Sequence, residues 1–190
     1  MNSFKWFAAL ASAVILAFGI SAGQAQDKKA KSNLSKEDTQ AMEKLAQGDM
    51  AEVEAGKVAA QKASSAEVKK FGQHMVDEHT KMLEEGKKLA QAKGVKAPAS
   101  PDKKHQDALK KLQGLSGDEF DRRFMEQMVN DHQEALKLAE KTAKEAKDSD
   151  LKAHAQKGAP KIKEHLAQAT KLRDSLAASS GASKRAEPSN

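Results

Sequence analysis

The sequence predicts an all-α protein: a four-helix bundle with a short extra helix in the long connection between its second and third long helices. Three observations predict this. Ala, Lys, Glu, Gln, Leu and Met dominate the chain beyond residue 25 while β-branched residues are scarce, so intrinsic propensity favours helix. Apolar residues recur at a spacing near 3.6 in four long segments. Between those segments stand Ser, Asp, Gly and Pro, the residues that start and stop helices.

Residues 1–25 read as a signal peptide, with Lys5 as the positive n-region, an apolar run from Trp6 to Ile20, and small residues at Gly23-Gln24-Ala25 for cleavage. At roughly 15 residues the run is short for a bilayer span, so the expectation is a periplasmic protein with no stable membrane span after cleavage. Residues 26–34 are expected to form a flexible segment and residues 35–178 the bundle. The first long helix starts at Ser35, an N-cap with Asp38 three residues later, and runs to about Ala63. The second follows Ser64-Ser65, has Glu67 in its first turn and ends at Gly94, a C′ glycine. Pro98, Pro101, Gly114 and Gly117 punctuate the connection around a short helix from about Asp102 to Gln113. This connection is long enough to let the second and third long helices run parallel. The third runs from about Asp118 to Ala146. The fourth runs from Asp148-Ser149 to about Ala177, with a kink or restart demanded by Pro160. The Ser-, Ala-, Gly- and Lys-containing tail, 179–190, is expected to be disordered.

The length of 190 residues suits one domain, and the 33 Lys+Arg against 27 Asp+Glu give a formal charge of +6. That excess does not indicate nucleic acid, because lysines sit near acids at helical spacing, as in Glu84 with Lys88 and Glu140 with Lys144, without aromatic or Gly-rich stacking motifs. The absence of cysteine excludes disulfides, thiolate metal ligands and covalent haem attachment. Loss of the signal peptide leaves Phe71, Phe120 and Phe124 as the aromatics, so an aliphatic core is expected. No Ser-His-Asp order, phosphate-cradling glycine loop or dinucleotide fingerprint can be placed on the helices, which leans the reading away from an enzyme.

Polar residues interrupt the apolar stripes. His79 lies between Met75 and Leu83, His132 between Met128 and Leu136, and His165 between Ile162 and Ala169, each at inward spacing. Asp49 and Glu52 do the same in the first helix. The helix midpoints fall near residues 49, 79, 132 and 163, so these groups are expected to share one layer. Phe71-Gly-Gln-His-Met-Val-Asp-Glu-His79 and Phe124-Met-Glu-Gln-Met-Val-Asn-Asp-His132 repeat Phe, Met, Val and His at identical spacing. Glu78, Asp131 and Glu164 precede the three inward histidines and flank the layer. His74, His105 and His154 are expected on solvated surfaces, and Met75, Met82, Met125 and Met128 as core filling.

These motifs resemble the bacterial, exported, ferritin-like family called domain of unknown function 4142. The resemblance rests on Ala51-Glu52-Val53-Glu54-Ala55-Gly56-Lys57, the Phe71 to His79 stretch, and His105-Gln106 with Leu109 and Leu112. It continues through Leu115-Ser116-Gly117 with Phe120-Asp121, His132, and Pro160 with His165, spanning about residues 36 to 176. It implies a ferritin-like bundle and a stress-related or binding protein, and it brings no activity.

Two readings of the layer stay open. Three imidazoles and one or two carboxylates from facing helices are a donor set for a single Zn, Mn, Fe or Cu ion, with Glu52, His79, His132, His165 and Asp49 as the candidate residues, as in a metal-binding or redox protein. The Glu-x-x-His pattern of di-iron bundles is missing, since Val76, Val129 and Ile162 stand three residues before the histidines. The alternative is a buried hydrogen-bonded cluster that sets helix register in a protein whose partner is another protein.

Overall fold

A computed structural model describes residues 34–186, with side chains to residue 179. The signal peptide, the segment before Leu34 and residues 187–190 lie outside the described residues. The chain forms five helices, α1 (Lys36–Lys62), α2 (Ala66–Ala92), α3 (Lys103–Gln113), α4 (Gly117–Glu145) and α5 (Ser149–Ala186), with no strand among the described residues. The starts are set by local chemistry. Ser35 Oγ accepts Asp38 N–H at 3.0 Å, Asp102 accepts His105 N–H at 3.0 Å, and Asp148 accepts Leu151 N–H at 3.0 Å. At the end of α2, Gly94 takes φ 67°, and its N–H and that of Val95 return to the carbonyls of Gln91 and Ala90, a closed Schellman turn.

Two expectations change. Pro160 neither ends nor restarts its helix, because α5 continues across it; the missing donor costs one backbone bond while packing on both sides holds the segment. The helix also runs past Ala177 into the tail expected to be disordered, reaching Ala186. Residues 182–186 (Ala, Ser, Lys, Arg, Ala) are tolerant of helix, and propagation adds a bond for each residue fixed.

Ion pairs and caps between elements give the topology. Lys161 pairs with Glu78, Lys157 with Glu85 at 2.7 Å, and Lys93 with Asp148 and Asp150 at 2.7 and 2.6 Å. Positions rise on α2 as they fall on α5, so these helices are antiparallel. At one end Asp38 of α1 accepts the N–H groups of Lys147 and Asp148 in the α4–α5 turn. At the other, Asp121 of α4 accepts those of Ser64 and Ser65 in the α1–α2 turn, at 3.0 and 2.7 Å. Each hairpin therefore caps the turn of the other, α2 and α4 run parallel, and the arrangement is a ferritin-like bundle with α3 in the crossover. The crossover helix is tied to α1 by Lys62 on the carbonyls of Gln113 and Leu115, and to α4 by Lys104 on Glu134 at 2.5 Å.

The core is divided. Toward the α1–α2 turn it is dense, with Phe71, Phe120, Phe124, Met75, Met125 and Met128 all buried. The three phenylalanines pack on one another, with Phe71–Phe124 centroids at 6.3 Å and Phe120–Phe124 at 5.9 Å. An aliphatic core thus describes only the other half, where Met82, Ala139 and Ile162 form one small cluster and Met42, Ala90, Ala146 and Leu151 another. Leu34, in the segment expected to be flexible, packs against this last cluster.

Helices α1 and α2 approach backbone to backbone. A Cβ on Gly56 would lie 2.6 Å from Gly72 O, and one on Gly72 would lie 2.7 Å from Ala59 Cβ. This contact seats the carboxylates of α1, one and two turns from Gly56, against α2. Gly72→Ala is expected to destabilise the protein by about 1–3 kcal/mol despite its better helix propensity, since the crowding atoms are backbone and Cβ. Urea denaturation checks this, and a neutral or stabilising change would refute the close approach.

Candidate metal centre

The helical period carries Asp49 and Glu52 on α1, His79 on α2, His132 on α4 and His165 on α5 into one layer. All five are buried, the histidines to 3, 1 and 2 % exposure and the carboxylates to 7 and 6 %. Ring centroids of His79, His132 and His165 are 5.2 to 5.6 Å apart. One nitrogen from each of the three histidines lies within 4.8 Å of the other two. The dense core above and the parallel run of α2 and α4 bring the rings together from three different helices.

Two hydrogen bonds orient the cluster. His79 Nδ1 lies 2.9 Å from Asp49 Oδ1, so Nδ1–H donates to an ionised Asp49 and that tautomer keeps the lone pair on Nε2. His132 Nδ1 donates to the Met128 carbonyl at 2.8 Å, which has the same effect, because a carbonyl can only accept. Glu52 Oε1 stands 3.6 Å from His132 Nδ1, beyond a hydrogen bond. Among the described residues four buried side-chain atoms are left without a partner: His79 Nε2, His132 Nε2, His165 Nδ1 and Glu52 Oε2. Each such atom ordinarily costs about 1–3 kcal/mol.

Burial sets the protonation of the layer. It lowers His132 from 6.5 to about 3, with the nearby His79 and His165 rings adding to the effect, and lowers His165 to about 3, with His79 and His74 adding. Burial also raises Glu52 well above the carboxylate range, Asp131 and Asp49 pushing the same way, and raises Asp49 against the pull of His79. A depressed imidazole contributes stability in full above pH 6.5 that is lost as pH falls from 6.5 toward 3, whereas the raised carboxyls act in the opposite sense. In metal-free protein the ring resonances of His132 and His165 are therefore expected to stay at their neutral positions from pH 8 to pH 5. A titration midpoint between 6 and 7 for either ring would contradict their burial.

The flanking acids face outward or half-outward. Glu78 is held down to about 2, first by its hydrogen bonds to Lys161 and Lys81. Glu164 accepts from Gln168 at 3.2 Å. Asp131, half-buried, is raised by burial against the opposing charges of His105 and Lys104. The histidines expected on solvated surfaces need correction, since all three are only partly exposed. His74 sits edge-on to His165 at 5.2 Å, while His105, bonded to Asp102 at 2.8 Å, and His154 line a cavity beside the layer. The signal for His154 was present: it lies eleven residues, three helical turns, before His165.

A family model described as Domain of unknown function (DUF4142) matches residues 23–172. The chain belongs to the DUF4142 family. This DUF4142 chain is similar in fold to a crystal structure of a DUF305 fragment from Deinococcus radiodurans, with a TM-score of 0.65 at 10% identity over 76% of this chain and 97% of that one. The likeness concerns the fold alone. No curated protein matches the DUF4142 chain.

Proposed function

We propose that this protein is an exported, periplasmic metal-binding bundle that holds one divalent transition ion on His79, His132 and His165, with Glu52 beside the triad and Asp49 as the outer carboxylate that orients His79. The observation that supports this reading is the set of four unpartnered buried atoms, three imidazole nitrogens and a carboxylate oxygen, in one layer. A hydrogen-bonded cluster with a purely structural role would close those valences on one another; here two bonds leave the lone pairs open. Burial keeps His132 and His165 neutral, the protonation state a metal requires. Imidazole with carboxylate and no thiolate suits Zn(II), Cu(II), Fe(II) or Mn(II), and affinity in such a set rises toward Cu(II) and Zn(II). Val76, Val129 and Ile162 occupy the places where a di-iron site would need carboxylates, which favours a single ion. Export rests on Lys5, the Trp6–Ile20 run and the small residues near Ala25.

The test is elemental analysis of untagged protein dialysed in turn against each of the four ions. About one equivalent of at least one ion is expected, falling well below half in His79→Ala, His132→Ala and His165→Ala. Protein that retains none of the four would refute the reading. Mass spectrometry of protein from its own host tests export, and an intact chain still carrying Trp6 would refute it.

A further inference from the structure

The layer separates a filled half of the bundle from a hollow one. On the α1–α2 turn side phenylalanine and methionine fill the space; on the other side the helices present Gly48, Ala135, Ala139, Ala155 and Gly158, and a cavity of about 540 Å³ remains. Its inner end is formed by Asp49, Glu52, His79 and His132, three of which carry or adjoin the unpartnered atoms. Its walls are mainly apolar, from Leu45, Met82, Ala135, Ala139, Ala155 and Ile162, interrupted by Gln47 and His154. Its mouth lies under α3, where exposed Lys44 and Lys104 alternate with His105, Asp131 and Glu134. A hollow of this size forfeits dispersion and transfer energy, so its polar inner end and mainly apolar walls are features of a site.

We infer that the cavity binds a small monoanionic amphipath, a short- to medium-chain aliphatic carboxylate, with its head on the ion and its chain along the apolar walls. This rests on the metal reading above. Three protein imidazoles leave a fourth coordination position open, and the cavity, lined by His79 and His132, is where an outside donor reaches it. A divalent ion on three imidazoles leaves a net buried positive charge, which an anionic head offsets. Six of the wall residues are apolar and offer the rest of the molecule no side-chain hydrogen-bond partner, so an aliphatic chain is the body complementary to them.

Gly48 supplies the test. It lies three residues after Leu45 and four before Glu52, on the cavity side of α1, and a Cβ built there meets no atom within 4 Å. Gly48→Leu thus fills the cavity and improves helix propensity, and Gly48→Ala adds one methyl as a control. The mature protein is loaded with Co(II), whose visible bands report its coordination, and titrated with acetate, butyrate, hexanoate and octanoate. Affinity is expected to rise up to about fourfold for each methylene buried, until the chain outgrows the cavity. Gly48→Leu is expected to weaken hexanoate at least tenfold while leaving Co(II) stoichiometry and acetate affinity within twofold, and Gly48→Ala to behave as wild type. A series with no dependence on chain length, or a Gly48→Leu variant that binds hexanoate like wild type, overturns the cavity proposal alone. Wild-type protein that takes up neither Co(II) nor any of Zn(II), Cu(II), Fe(II) and Mn(II) overturns it together with the metal reading.

Discussion

Adding Zn(II) or Cu(II) to chelated wild-type protein is expected to raise its melting temperature by about 10 °C or more, and His132→Gln is expected to remove most of that rise. An ion at a thousandfold excess over its dissociation constant stabilises the native state by about 4 kcal/mol, and each kcal/mol is worth about 2–4 °C in a domain of this size. In the chelated state the substitution is expected to change stability by less than about 1 kcal/mol, because His132 makes one hydrogen bond, to the Met128 carbonyl, that a glutamine amide can replace, and its Nε2 has no partner to lose. The opposite pattern decides for a structural cluster: a wild-type melting temperature that none of Zn, Mn, Fe or Cu raises, with a clear loss in chelated His132→Gln.

Asp121→Ala is expected to cost about 2–4 kcal/mol, a large share of the stability of a domain this small. The carboxylate is 1 % exposed and accepts the N–H groups of Ser64 and Ser65 across the bundle. Its loss removes two charge-assisted bonds and leaves donors at a helix junction without an acceptor. Asp121→Asn is expected to be nearly as costly, since its amide can present only one oxygen to two donors. Asp38→Ala, at the opposite end on Lys147 and Asp148, is expected to behave alike, and the two changes to add within about 0.5 kcal/mol because they share no partner. Urea denaturation of the two single variants and the double variant measures this. A loss below 1 kcal/mol for Asp121→Ala would show that water replaces the carboxylate.

The four long helices, the short helix and the caps at Ser35, Asp148 and Gly94 were legible in the chain because they are local: propensity, a side-chain oxygen three residues from an N–H, and a glycine that tolerates positive φ act within one turn. The inward direction of His79, His132 and His165, and of Asp49 and Glu52, was legible for the same reason, since the period of one helix decides which face a residue shares with Met75 or Ile162. Tertiary structure alone decided which of these polar atoms find partners. That depends on distances between helices set to tenths of an ångström by contacts such as Gly56 on Gly72, which no single-helix pattern contains. It also decided that Asp38 and Asp121 cap turns more than fifty residues away, that Ala135, Ala139 and Gly48 meet around empty space rather than around a phenylalanine, and that His74 and His154 are drawn partly inside. A chain carries its helical periods residue by residue, but a cavity or an unpaired nitrogen is a property of four helices packed together, and it exists only once their side chains have competed for the same volume.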